Sequence, residues 1–208
     1  MTPNQTRAAL IVGLVLGSFS VALAKDLKPT SFEAEYSMEI DRDEITTVPA
    51  CAAASLAAFE DTRSEPNVGE RFHEKTPNVK LPITMTGDPL LWMQTGFMEH
   101  ARRAVLSYAT EGRPEITFQL VSLWIDEQVY RNSEYDGQVV LDVAVTPAGG
   151  GTTCWSGRVS GFAENYGRAG KEVNYQETVN HALDKAMVKA FADAELTNAL
   201  CTCGSTDQ

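Results

Sequence analysis

The chain has 208 residues, of which 28 are Asp or Glu and 17 are Lys or Arg, so its formal net charge at pH 7 is −11. Nucleic acid and anionic lipid repel such an acidic protein, and neither is expected as a partner. The length suits one domain with a sizeable core, and no internal repeat or low-complexity tract is visible.

The N-terminal segment has the features of a secretory signal peptide. Arg7 is the only charged residue before Lys25, and an apolar run over residues 8–24 ends in the small-any-small pattern that a signal peptidase accepts. Glycines and serines interrupt the run, which is short for a membrane anchor, and no later run is long enough to cross a bilayer. We therefore predict a signal peptide over residues 1–24, cleavage near Ala24, and a periplasmic or secreted mature protein with no transmembrane span.

Residues 25–50 are predicted to form an N-terminal extension with one possible edge strand. Between Phe32 and Ile40 apolar residues alternate with glutamates, as they do in an amphipathic strand. The apolar run over residues 52–60 indicates a buried strand, with a helical piece as the alternative. Prolines and glycines between Ser64 and Gly87 predict a long loop.

A helix and three strands are predicted next. Asp88 suits the N-cap and Pro89 the first position of a helix that is expected to end near Ser107. Its apolar stripe is widened by Leu91, Met98 and Val105. β-Branched and aromatic residues predict three strands, at residues 115–125, 134–146 and 152–162. A second amphipathic helix is expected to run from about Asn174 to Leu196.

This order of elements predicts an α+β fold of two layers. We expect a two-layer sandwich, in which an antiparallel sheet of about four to five strands carries two helices on one face, in the order strand-helix-strand-strand-strand-helix. The domain should span residues 51–203, and residues 204–208 should form a flexible tail.

The four cysteines are predicted to form disulfides, because exported proteins fold under oxidising conditions. They are Cys51, Cys154, Cys201 and Cys203. The predicted directions of the strands and helices place all four at one end of the domain. Three complete pairings are possible. A bond between Cys201 and Cys203 would close a strained ring, so we favour a bond from each tail cysteine to one strand cysteine.

No catalytic motif is visible, and neither a cofactor nor a metal is expected. The chain lacks the Gly-x-Ser-x-Gly pattern of serine hydrolases, and its glycine run at residues 149–151 lacks the Lys and Ser/Thr of a phosphate-binding loop. Cys201 and Cys203 with a histidine are conceivable zinc ligands, but their spacing is not that of a zinc site and export favours their oxidation.

Four residues are candidates for binding. Asp61 and Arg63 lie in the charged loop that follows the strand at residues 52–60, where paired carboxylates can perform acid–base chemistry. Tyr130 and Tyr135 lie near predicted strand ends, where an aromatic side chain is free to line a groove. A charged loop after a strand also occurs without any function.

The chain resembles the periplasmic lipoproteins of the YajG type over roughly residues 52–196. The motifs that carry this resemblance are Phe59-Glu60-Asp61-Thr62-Arg63, Val68-Gly69, Asp88-Pro89 with Trp92, Ser160-Gly161, Asn165, and Tyr175 to Leu183-Asp184-Lys185-Ala186. Related small α/β modules occur in the lipopolysaccharide-transport lipoprotein LptE and in the N-terminal domain of TolB. The resemblance implies an accessory or assembly role and no catalytic residues. The family's acylated cysteine is missing, because the first cysteine here is Cys51.

The predicted function is therefore that of a non-enzymatic exported envelope protein. It would serve as an accessory module that binds another periplasmic or outer-membrane component, either a protein or a glycolipid. The alternative is a secreted hydrolase or inhibitor that uses the acidic loop at Asp61 and Arg63. The sequence specifies neither the partner nor the oligomeric state.

Overall fold

The computed structural model describes residues 27–108 and 112–204. The predicted signal peptide and residues 205–208 of the predicted tail lie outside the described residues. The elements in chain order are β1 (Thr30–Glu33), a short 3-10 helix (Arg42–Glu44), β2 (Ala53–Asp61), β3 (Asn67–His73), β4 (Thr76–Thr86), α1 (Pro89–Arg103), β5 (Ser107–Tyr108), β6 (Glu115–Val129), β7 (Ser133–Thr146), β8 (Trp155–Gly167), α2 (Glu172–Ala192) and α3 (Ala194–Thr202).

Within the described residues, eight strands form one mixed sheet organised around β6. On one side of β6, β7 pairs antiparallel along the whole strand and is followed by β8, also antiparallel. On the other side, β6 pairs with two strands along its length. β2 runs parallel to its first half and β3 runs parallel to its last residues. β5 extends the sheet beyond β2, and β4 and β1 extend it beyond β3.

The two halves of the sheet meet at a bulge in β6. Its register with β7 shifts between Leu120 and Ser122, which leaves Val121 without a partner residue. A bulge bends a strand and increases its twist. At the same place β2 ends, since both the backbone N–H and the hydroxyl of Thr62 donate to the carbonyl of Leu120, at 3.0 and 3.1 Å. β6 therefore supports two short parallel strands instead of one long one.

The predicted fold class is wrong. The sheet is mixed and has eight strands, where an antiparallel sheet of four to five was expected, and the described residues contain three α-helices instead of two. The main error lies between Ser64 and Gly87, where β3 and β4 replace the expected loop. β4 tolerates Pro77 and Pro82 because it is paired on both sides only at Ile83 and Thr84, and an open strand side does not need the missing N–H.

The helices pack on the sheet through close contacts at glycines. A Cβ atom on Gly161 of β8 would lie 1.8 Å from the carbonyl oxygen of Ala182 in α2. A Cβ atom on Gly137 of β7 would lie 2.5 Å from the Thr178 side chain. Any larger residue at these two positions would push α2 away from the sheet, so the glycines set the distance between α2 and strands β7 and β8.

The predicted disulfides are present, and they fasten α3 to the strands. Cys51 bonds Cys201, and Cys154 bonds Cys203, with sequence separations of 150 and 49 residues. Each tail cysteine thus bonds a cysteine near the start of a strand. Because both bonds use the sulfur atoms of the tail cysteines, neither thiolate is available to zinc. Among the described residues, no helix combines the length and the hydropathy needed to cross a bilayer.

Candidate functional site

Asp61 and Arg63 form an ion pair with each other at the end of β2. Two nitrogens of the guanidinium donate to the two carboxylate oxygens, at 2.7 and 2.8 Å. These hydrogen bonds from Arg63 lower the pKa of Asp61. A carboxyl group that is ionised and paired is a poor proton donor, and the adjacent cavity has a volume of only about 120 Å³. The pair is therefore better suited to stabilising the turn after β2 than to acid–base chemistry.

The two candidate tyrosines lie in different surroundings. Tyr135 is fully buried, and its hydroxyl donates to the carbonyl of Arg168 at 2.7 Å, so it belongs to the core. Tyr130 is 38% exposed and lines a cleft of about 530 Å³. Asp61 pairs with Leu120, ten residues before Tyr130 on the β6 segment, so about 30 Å of extended chain separates them. The structure does not bring the four candidates together.

A groove of about 810 Å³ runs along α1, between the chain that precedes residue 40 and the segment that leads into β5. Its apolar lining includes Met38, Met98, Ala101 and Leu106. The polar lining includes Tyr36, Glu99, Arg102 and Arg103. A concave site of this volume, mostly apolar with a few polar groups, is typical of ligand and partner sites in proteins.

Three apolar side chains extend the α1 groove into an exposed stripe. Leu91, Met98 and Val105 are 60%, 40% and 68% exposed. Leu91 and Met98 are spaced seven residues apart, which places them on one side of the helix, and Val105 follows directly after its C-terminal end. The opposite side of α1 buries Trp92, Phe97 and other core residues. Single exposed apolar residues are ordinary, but an aligned set beside a groove marks an interaction surface.

Val105 has a backbone conformation that a valine rarely adopts. Its φ is 61°. It follows the C-cap Ala104, and the N–H of Leu106 donates to the carbonyl of Ala101 at 2.9 Å, which is the closing bond of a Schellman motif. Glycine normally occupies this position, because the left-handed conformation costs an L-residue about 1–2 kcal/mol. Val105 is thus both strained and exposed, and the fold gains nothing visible from either property.

The charged edge of the groove carries one net positive charge. Glu99 accepts hydrogen bonds from Arg102 at 2.6 Å and from Arg103 at 2.9 Å. The bond from Arg102 contributes most to lowering the pKa of Glu99 to about 2. The carboxylate therefore stays ionised and balances one of the two arginines. The Arg102 side chain is mostly exposed and still has donors for an incoming acidic group.

A buried polar cluster holds one wall of the groove in place. The hydroxyl of Tyr36 and the backbone N–H of Glu39 each donate to the carboxylate of Asp184 at 2.7 Å. His100 lies between them, with Nδ1 assigned as the donor to the Gly96 carbonyl at 2.9 Å and Nε2 3.5 Å from Asp184. Burial raises the pKa of Asp184 and lowers that of His100. The side chains of His100 and Asp184 are fully buried, so they position Tyr36, which is partly exposed and lines the groove.

Comparisons with known proteins assign no function to this site. No family model and no curated protein matches the chain. A solved structure of protein XCC0632 from Xanthomonas campestris, described as a DUF330 protein, is similar at 8% identity with a TM-score of 0.49, over 81% of this chain and 96% of that one. A second structure, described as an uncharacterized protein, is similar at 8% identity with a TM-score of 0.31, over 84% and 97% of the two chains. The YajG-type resemblance stays a prediction.

The sequence contains the groove residues but does not reveal that they form a surface. The predicted helix placed Leu91, Met98 and Val105 within one broad apolar stripe, as if all three were buried. The structure divides that stripe into a buried side and an exposed side. A helix prediction that ended at Arg103 would have placed Val105 at the position where glycine is preferred. This mismatch is the one signal in the sequence that could have indicated the groove.

Proposed function

We propose that the protein is a non-catalytic module exported to the cell envelope, where it binds an amphipathic helical segment of a partner protein along the α1 groove. The carrying observation is the exposed apolar stripe of Leu91, Met98 and the strained Val105 beside the groove. The signal-peptide pattern and the two disulfides support export. The pairing of Asp61 with Arg63 supports a role without acid–base chemistry.

The shape of the surface favours a helix over a glycolipid. The helical part of the stripe, from Leu91 to the end of α1 at Arg103, is about 18 Å long, which equals roughly three turns of a partner helix. The α1 groove is open to solvent along one side, whereas pockets for small ligands usually enclose most of the molecule they bind. Met38 and Met98 are flexible, and methionine suits surfaces that adapt to a helix laid against them.

The charges at the groove specify the partner segment further. Arg102 lies at the rim with its side chain mostly exposed, and its guanidinium can bind a carboxylate through two hydrogen bonds. We therefore expect the partner helix to carry apolar residues at positions i, i+3 or i+4, and i+7, with an aspartate or glutamate on the flank that faces Arg102. A basic amphipathic helix would meet repulsion there.

Site-specific photocrosslinking in intact cells tests this proposal. A photoreactive residue at position 98 should capture a protein, and peptide mapping should place the adduct in a segment with the apolar spacing given above. Val79 on β4 is 57% exposed and provides the matched control position, where the adduct should be absent. Adding Val105→Asn should reduce the adduct formed at position 98. A lipid-sized adduct, an adduct of equal yield at both positions, or the absence of any adduct would refute the proposal.

A further inference from the structure

A second concave site lies at the far end of β6, away from the α1 groove. The cleft has a volume of about 530 Å³ and is formed where the chain before β1, the ends of β3 and β6, and the loop between β8 and α2 meet. Its lining residues are Leu27, Lys28, Arg71, His73, Val129, Tyr130, Ala169 and Gly170. The proposed function does not use this cleft.

The charge of this cleft is opposite to that of the whole chain. Lys28, Arg71 and His73 line it, and among the described residues none of those that line it is Asp or Glu. The neighbouring positions in the sequence carry both signs, with Arg131, Arg168 and Lys171 on one side of the count and Glu74 and Glu172 on the other. The lining itself is therefore basic in a chain with 28 acidic and 17 basic residues.

A buried carboxylate beneath the cleft is neutralised by Arg71. Glu127 is fully buried, and the Nε of Arg71 lies 2.9 Å from one of its oxygens. Its carboxylate also accepts a hydrogen bond from the backbone N–H of Gly170 at 2.9 Å and another from the hydroxyl of Tyr175. Because Arg71 balances this charge, an anion in the cleft would not meet an uncompensated carboxylate. The positive charge of Lys28 remains.

The same contacts give the cleft a fixed shape. Arg71 is only 7% exposed, and its Nη1 donates to the carbonyl of Lys28 at 3.1 Å, which holds the chain before β1 over the end of β3. Gly170 has a φ of 66°, and a Cβ atom there would lie 3.1 Å from the guanidinium. A larger residue here would be strained and would crowd the guanidinium, so glycine lets the loop that precedes α2 close against Arg71.

The apolar part of the lining indicates an organic ligand. Leu27, Val129 and the half-exposed ring of Tyr130 line the cleft together with the basic groups. The volume exceeds the needs of a bare phosphate ion and lies in the range of small-molecule sites. A lysine binds phosphate as a point charge, and an aromatic ring gives an apolar wall to the carbon skeleton. We propose that this cleft binds a small organic phosphate.

Titration calorimetry with glycerol 3-phosphate tests this proposal on the full-length mature protein. Glycerol 3-phosphate should bind, glycerol should not, and inorganic phosphate should bind about tenfold more weakly because it does not contact the apolar wall. Lys28→Gln should weaken glycerol 3-phosphate binding about tenfold, since it removes one charge-assisted contact. Lys185→Gln removes the same charge from the middle of α2 and should leave the affinity unchanged.

A second variant separates the two parts of the ligand. Tyr130→Ala should lower the affinity for glycerol 3-phosphate and leave that for inorganic phosphate unchanged. No binding at millimolar concentration, or equal affinities in the wild type and Lys28→Gln, would overturn the proposal. Vesicles containing phosphatidylglycerol distinguish a lipid head group from a soluble ligand. Because the chain is acidic overall, we expect the soluble ligand to bind and the vesicles not to compete for the cleft.

Discussion

Replacing Val105 with glycine should make the protein more stable. The left-handed backbone at φ 61° costs a valine about 1–2 kcal/mol, and glycine adopts it without this penalty. Glycine loses more chain entropy on folding, which offsets about 0.5–1 kcal/mol of the gain. Val105 is 68% exposed, so its removal sacrifices little buried area. We expect the free energy of unfolding to rise by about 0.5–1 kcal/mol.

Urea unfolding at equilibrium, with the disulfides intact, measures this difference directly. In a chain of this size the melting temperature should rise by about 1–4 °C. Val105→Ala is the matched control, because alanine keeps the Cβ atom that causes the strain and should bring no gain. Val105→Asn should lie between the two, since asparagine tolerates the left-handed region.

Two results would refute this reasoning. If the glycine variant is no more stable than the alanine variant, the backbone at position 105 is not strained. If Val105→Gly is more stable and the photocrosslink at position 98 is undiminished, the strain is real but serves no binding role. The proposed function requires the glycine variant to be more stable and to bind less.

Two further predictions concern the outer sheet face and the disulfides. Partial burial, and after it the nearby carboxylates, raise the pKa of Asp136, so its ionisation lowers the free energy of unfolding as pH rises from the ordinary pKa of an aspartate to the raised one. At neutral pH the free energy of unfolding of Asp136→Asn should therefore exceed that of the wild type by about 0.5 kcal/mol, and in acid the two should be equal. A difference of the same size at every pH would contradict this. Replacing both Cys51 and Cys201 by serine should lower the free energy of unfolding by about 5 kcal/mol. The equivalent change at Cys154 and Cys203 should lower it by about 4 kcal/mol, because this bond closes a shorter loop. The opposite order in urea unfolding would refute the loop argument.

The strands of the long meander follow from local sequence patterns. β7 begins at Ser133 and ends at Thr146, close to the predicted residues 134–146, because its inward and outward side chains alternate strictly. β6 continues to Val129, beyond the predicted end at residue 125. The extension carries Glu127, whose burial requires Arg71 and Tyr175 from distant parts of the chain. The local pattern shows a charged residue at position 127, but it does not show that distant residues neutralise that charge and allow the strand to continue.

β3 and β4 could not be predicted from local sequence for a related reason. They pair with each other as a hairpin, but the strands that place this hairpin in the sheet are remote, since β3 runs beside residues 125–129 of β6 and β4 runs beside β1. Two prolines and several charged side chains suggest a loop when this stretch is considered alone. The parallel order of β2, β6 and β3 follows from contacts far apart in the sequence, so an antiparallel sheet was the simpler and incorrect expectation.

The candidate site shows why apolar periodicity does not identify an interaction surface. Phe97 and Met98 are adjacent in the sequence, yet Phe97 is fully buried and Met98 is 40% exposed. Both fit the apolar pattern of one amphipathic helix, because that pattern records hydrophobicity and not the neighbour that covers it. The backbone at position 105 adds independent information, since strained backbone conformations are concentrated at functional sites. A partner helix that covers Val105 would provide that reason by removing its apolar side chain from water.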